Sequence, residues 1–135
     1  MEREEFEELA KEIVDSCIAV QKEMGPGLLE SVYELCLMKE LELRGIKAKN
    51  QVCVPLKYKD FELSKEFKID ILVEEEIILE LKSAETIPAV YVAQTISYLK
   101  LMDKRLGFLI NFNVPLMKQG IQRFVNNYYK TYAEQ

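Results

Sequence analysis

The stretch from Glu66 to Lys82 restricts the fold of this chain more than any other. Glu66–Val73 alternates: Phe67, Ile69, Ile71 and Val73 fall on one side of an extended strand, and Glu66, Lys68, Asp70 and Leu72 on the other. Glu74-Glu75-Glu76 interrupts the pattern, and Ile77–Lys82 reads as a second strand. Loop length sets the register of such a hairpin. A two-residue loop puts Asp70 opposite Leu79. A three-residue loop puts Asp70 opposite Glu80 and Lys68 opposite Lys82, and it gathers Phe67, Ile69, Ile71 and Val73 on the same side as Ile77, Leu79 and Leu81. Burial of a continuous apolar side selects the second register, because a slip of one residue would expose it.

That register has a chemical consequence. Directly opposed Cβ atoms lie roughly 4.5–5.5 Å apart, so Asp70 and Glu80 repel each other unless positive charge lies between them. A divalent cation and the ammonium of Lys82 are the natural candidates. Hard oxygen donors select Mg²⁺ or Mn²⁺, and the combination suits hydrolysis of a phosphodiester, with Lys82 orienting the attacking water or stabilising developing charge. Taken alone, the same pattern also describes a solvated hairpin face with surface ion pairs.

The rest of the chain supplies a frame for that hairpin. Phe6, Leu9, Ala10, Ile13, Cys17 and Val20 recur at helical spacing within residues 2–24. Gly25-Pro26-Gly27 breaks that helix. A second one runs from about Leu28 to Leu43, with Leu29, Val32, Tyr33, Cys36, Leu37 and Leu41 as its apolar stripe and Gly45 as its stop. Gln51–Leu56 alternates as a strand in which Pro55 marks an edge, and Tyr58-Lys59-Asp60 is a turn. Pro88 opens a third helix reaching about Lys104, with Val92, Ala93, Ile96 and Leu99 as its stripe. Gly107–Phe112 and Ile121–Val125 read as further strands, with a helical tail over 126–132. The order predicts an α/β fold: a central mixed sheet flanked by helices, forming one domain over residues 1–135.

Composition excludes some function classes. The chain holds no histidine, so no mechanism uses imidazole. Cys17, Cys36 and Cys53 are too few and too widely spaced for a disulfide framework or a zinc knuckle, and read as core or near-core thiols in a reducing compartment. The acidic start MEREEFEEL is unlike a secretory leader, and no apolar run is long enough to span a membrane, which predicts a cytoplasmic protein. Net charge is −5, but it is uneven: residues 1–45 hold 12 acids against 5 bases, and residues 46–135 hold 11 against 13. The larger part of the chain is free to present a basic face to a polyanion.

Three other side chains enter as candidates. Glu30 reads from spacing as a capping glutamate with Gly27 as the cap residue, or as an extra acid near the metal. Gln94 and Tyr98, four apart on the third helix, read equally as polar borders of an apolar stripe or as groups that position phosphate, water and Lys82.

Taken together, Gly27-Leu28-Leu29-Glu30-Ser31-Val32-Tyr33, Arg44-Gly45-Ile46, Gln51, Lys68-Ile69-Asp70-Ile71-Leu72-Val73, Glu80-Leu81-Lys82, Ala93-Gln94 with Tyr98-Leu99-Lys100, and Leu109-Ile110-Asn111-Phe112 resemble the GxxExxY family. That family is assigned to the PD-(D/E)XK superfamily, and the resemblance covers nearly the whole chain. It implies a restriction-endonuclease-like core and a divalent-metal-dependent nuclease acting on DNA or RNA. It also implies a metal held by Asp70, Glu80 and Leu81, with Lys82 as the catalytic lysine. Glu30, Gln94 and Tyr98 gain weight as site residues. Gln21 stands where related sequences often have histidine. The alternative is a non-enzymatic nucleic-acid- or protein-interaction module on the same fold. A homo-oligomer or a protein partner stays open.

Overall fold

The computed structural model describes residues 1–126, with the backbone alone at 64–66. In chain order the elements are α1 (Arg3–Met24), α2 (Glu30–Leu43), β1 (Ala48–Tyr58), β2 (Phe61–Val73), β3 (Ile77–Lys82), α3 (Ala89–Leu101), β4 (Leu106–Asn111) and β5 (Ile121–Val125), with a short 3₁₀ turn at Met117–Gly120. One mixed sheet runs in the order β1-β2-β3-β4-β5. Its pairs are antiparallel except β3 with β4, which the α3 crossover makes parallel. This is the expected α/β architecture. The helical tail expected at 126–132 lies, past Asn126, outside the described residues. Among the described residues no helix is long and apolar enough to cross a membrane.

Two apolar clusters hold the layers together. The larger joins Phe6, Ile13 and Cys17 of α1 and Tyr33, Leu37 and Leu41 of α2 to Ile71, Val73, Leu79, Leu81, Phe108 and Ile110 of the sheet. The smaller joins Tyr98 and Leu99 of α3 to Val54, Ile69, Leu72 and Ile78. The parallel pair lies innermost, so β4 is buried throughout and β3 everywhere except Lys82.

The hairpin takes the three-residue loop. Ile71 pairs with Leu79, Leu72 with Ile78 and Val73 with Ile77, and Glu74 and Glu75 make the turn in left-handed conformations at φ 52° and 60°. The expected single apolar side of β2 does not hold along its length, however. Ile71 and Val73 pack in the larger cluster, while Ile69 and Phe67 pack in the smaller one. β2 changes the side it presents at Asp70. Opposite that point, between the pairs Asn50↔Ile71 and Val52↔Ile69, Gln51 adopts a left-handed φ of 52°.

Three apolar expectations need correction. Leu29 is 74% exposed because it is the extended residue before α2, at φ −69° and ψ 149°, where helical phase does not apply. On α3 the buried face is Thr95, Tyr98 and Leu99, and Ala93 and Ile96 are exposed. That helix is apolar on more than one side, and contact with the smaller cluster decides which side is covered. Cys53 is exposed and Cys36 half-buried. Cys53 sits opposite Lys68 on the β1–β2 hairpin, facing away from Val52 and Val54. Only Cys17 is a core thiol, and burial pushes it up to about 12, so it stays protonated.

Candidate active site

The β2–β3 ladder stops at Ile71↔Leu79, and side chains take over the next rung. The Asp70 backbone N–H donates to Glu80 Oε1 at 3.1 Å, and the Leu81 N–H donates to Asp70 Oδ2 at 2.7 Å. Each carboxylate is therefore anchored on the backbone of the opposite strand, and the two acids meet in the gap where the strands part. Glu80 is only 6% exposed. Burial, then the charge of Asp70, raises its pKa to about 8, against the pull of the Asp70 N–H and of Lys82. Asp70 is also raised, by burial first; the Leu81 N–H pulls it back, Glu34 raises it, Lys82 lowers it and Glu30 raises it.

Lys82 shares the face of Glu80, two residues along β3. Its ammonium lies 4.1 Å from the centre of the Tyr91 ring, a cation–π contact that fixes it at the foot of α3. Tyr98, two turns further along α3, is buried, and its phenol is raised by that burial and by the charges of Glu80 and Asp70. Tyr91, Gln94 and Tyr98 are spaced as one stripe. Gln94 itself is exposed, and no hydrogen bond ties it to another described site residue. Leu81 buries its side chain in the larger cluster and offers only its backbone to the site.

Glu30 is the first residue of α2 and makes no capping hydrogen bond; the cap position is Leu29, not Gly27. Its charge acts on both Asp70 and Glu80. A cleft of about 500 Å³ opens between Gly27–Ser31 and Ser83 with Asn113. Its lining mixes polar and apolar groups, and Ser83 is the chain neighbour of Lys82. The loop beneath it is built by Tyr33, which is fully buried and stacks on Phe112 at 4.4 Å. Its hydroxyl donates to the Gly25 carbonyl at 2.5 Å and accepts from the Leu28 N–H at 3.1 Å. The left-handed Gly25 and Gly27, at φ 73° and 93°, give the turn its shape. The glycine, glutamate and tyrosine of the 27–33 motif thus act together. The glycine turns the chain, the tyrosine locks the turn, and the glutamate is delivered to the cleft. Gln21 ties α1 to the same end of the sheet by donating to the Phe112 and Val114 carbonyls at 3.1 and 2.6 Å.

Sequence reasoning did not name Tyr91, Glu34 or Gln51 as site residues, although Gln51 stood among the positions that carry the family resemblance. Tyr91 was readable, three residues before Gln94 and seven before Tyr98. The contacts of Glu34 and Gln51 were not. Gln51 Nε2 donates to Glu34 Oε1 at 2.6 Å and lies 3.5 Å from Asp70 Oδ1, contacts that only the tertiary fold creates. The apolar cleft of about 400 Å³ lined by Ile18, Gln21, Pro26, Leu116 and Met117 contains neither of the paired acids nor Lys82.

No curated protein matches the sequence. Among solved structures, the crystal structure of SSO0001 is similar at 18% identity and a TM-score of 0.49, covering 78% of this chain and 56% of that one. This chain thus spans little more than half the length of that protein. The family model of the PD-(D/E)XK nuclease superfamily matches residues 7–124, from the first turns of α1 into β5. A match over nearly the whole chain shows the family: this protein belongs to the PD-(D/E)XK nuclease superfamily.

Proposed function

We propose that the chain is a divalent-metal-dependent nuclease of the GxxExxY family that hydrolyses phosphodiester bonds in DNA or RNA, using Mg²⁺ or Mn²⁺. The observation that carries this reading is the Asp70–Glu80 pair. Two carboxyls are anchored in one gap, and both are pushed upward, Glu80 by burial and then the charge of Asp70, and Asp70 by burial and then the charges of Glu34 and Glu30. That arrangement destabilises the metal-free protein and suits a cation. The donor set is all oxygen, as a hard divalent ion requires. Asp70, Glu80 and the Leu81 backbone would hold the ion. When bound, it supplies Lewis acidity toward the phosphate and a more acidic water.

The chain's own groups do the rest. Lys82, steadied on Tyr91, stands beside the acids with its charge unspent on an ion pair among the described residues, ready for an anionic phosphate oxygen. Tyr98 keeps its proton and lies within reach of the charges of both acids. Glu30 borders the cleft through which the sugar–phosphate chain would approach, and Gln94 lies on the stripe between Tyr91 and Tyr98. The lock made by Tyr33 supports assignment to the GxxExxY family, since it gives the tyrosine of that motif a structural role beside the left-handed Gly27.

The test is a cleavage assay with Mg²⁺ and with Mn²⁺ on single- and double-stranded DNA and RNA. Wild type should cut at least one substrate, and Asp70→Ala should fall to background. Lys82→Ala should bind Mn²⁺ as well as wild type or better, because a positive charge beside the acids is gone, and still fail to cleave. Absence of cleavage by wild type, or equal cleavage by Asp70→Ala, overturns the reading.

A further inference from the structure

Adjacent residues of a strand point to opposite faces, yet Asn50 and Gln51 reach the same carboxylate. Asn50 Nδ2 donates to Glu34 Oε2 at 3.2 Å and Gln51 Nε2 to Glu34 Oε1 at 2.6 Å. The left-handed backbone at Gln51, φ 52°, is what breaks the alternation. A glutamine is an uncommon occupant of that region, and such conformations persist where the surroundings enforce them. The same Gln51 amide also lies 3.5 Å from Asp70 Oδ1. One neutral donor group therefore stands between two carboxylates, one from α2 and one from β2, held by Glu34 at short range and facing Asp70 at longer range. The backbone change of side in β2 falls at the same level, since Asp70 is flanked by the pairs Asn50↔Ile71 and Val52↔Ile69.

We propose that Gln51, anchored by Glu34, is a positioning residue that sets the rotamer of Asp70 for the metal. This rests on the reading of Asp70 as a metal ligand, and deepens it. Asp70 Oδ2 is already committed to the Leu81 N–H. Gln51 addresses the other oxygen, so the two contacts together fix the plane of the carboxylate. Glu34 holds the Gln51 amide through one oxygen and accepts from Asn50 through the other, which ties α2 to β1 at this point. Groups that orient a ligand in this way typically change metal affinity by about 10–100-fold when removed.

The experiment compares wild type with Gln51→Asn, Gln51→Gly, Glu34→Ala and the double variant Gln51→Asn/Glu34→Ala. Mn²⁺ affinity is read by calorimetry and stability by thermal melting. Asparagine and glycine both accept the left-handed backbone, but neither carries an amide to Asp70. Positioning through the amide predicts that both weaken Mn²⁺ binding by about tenfold or more, with melting temperatures close to wild type. A purely structural role for the turn predicts wild-type affinity in Gln51→Asn, and that result overturns the proposal. Glu34→Ala should also weaken binding, and the double variant should be no worse than the poorer single variant, because both changes release the same amide. Additive losses overturn the linkage to Glu34. A wild type that binds no Mn²⁺ ends the metal reading, and Gln51 is then tested without metal. In the metal-free protein the ¹³C shift of the Asp70 carboxyl should differ between wild type and Gln51→Asn, and an unchanged shift overturns the positioning role.

Discussion

β2 divides at Asp70 into two halves with different support. From Ile71 to Val73 it has a strand on each side, β1 and β3; Ile71 and Val73 lie beneath α1 and α2, and Leu72 on the other face packs with Tyr98 and Leu99 of α3. From Ile69 to Phe61 its only strand neighbour among the described residues is β1. Val52, Val54, Phe67 and Ile69 anchor that arm on Tyr98 and Leu99, and the Phe67 and Tyr98 rings meet at 6.4 Å. Beyond the register shift between Val54 and Leu56, the tip carries Tyr58, Phe61 and Leu63 at 62%, 67% and 49% exposure. Support thus falls along one strand from complete to nearly absent, and the acid sits at the boundary. The rigid half fixes Asp70 against Glu80. The loss of the β3 partner opens the gap in which both carboxylates fit.

The largest effect belongs to the rigid half. Leu79 is fully buried and pairs with Ile71 next to the acids. Leu79→Ala should lose about 2–5 kcal/mol in urea denaturation. A loss below about 1 kcal/mol would mean that this half is not the firm base described.

The second prediction concerns the gap itself. Glu80 is raised from 4.5 to about 8 in the fold, so folding favours its protonated form. The stability this gives is fully present below about pH 4.5 and is lost as pH rises through about 8. The metal-free melting temperature should therefore fall across that window. A divalent ion competes with the proton, so the gain in melting temperature with Mn²⁺ should grow over the same window. Glu80→Gln should flatten both curves. A metal-dependent gain that is independent of pH would separate Glu80 from the ion.

How much of this was legible depended on how many segments each feature needed. The hairpin register follows from one loop and one apolar side, both local, so the opposition of Asp70 and Glu80 could be argued from seventeen consecutive residues. The change of side at Asp70 requires α3 to claim Ile69 and β3 to release it, and neither is written in the alternation of β2. Gln51 and Glu34 meet only because α2 crosses β1. Glu30 failed as a cap because the helix begins later than its glycine suggested: Tyr33 holds Gly25 and Leu28 in a loop that α2 does not include.

That loop gives a third, intermediate effect. Tyr33→Phe keeps the stack on Phe112 and removes both hydroxyl hydrogen bonds. The Gly25 carbonyl and Leu28 N–H lose a partner, which should reduce stability by about 1–3 kcal/mol. If the motif delivers Glu30 to the cleft, cleavage should fall further than stability accounts for, when assayed well below the melting temperature. Equal cleavage by Tyr33→Phe would leave the lock a purely structural one.

The smallest effect belongs to the tip of the arm. Leu56 pairs with Leu63 and Tyr58 with Phe61, so these four side chains share one face of the hairpin, while Lys57 and Glu62 pair on the other. Phe61 is two-thirds exposed and no described element packs over it, so its removal opens no cavity. Phe61→Ser should change stability by no more than about 0.5 kcal/mol in the same urea assay that registers Leu79→Ala. The contrast between the two variants measures the gradient of support along β2. A loss at Phe61 comparable with that at Leu79 would mean that the arm is covered in solution, and the concentration dependence of that loss would tell whether the cover is a second copy of the chain. A near-zero loss leaves the division at Asp70 intact: the strand is stabilised up to Asp70, and past it the arm rests on α3 through Phe67 and Ile69 alone among the described side chains of β2.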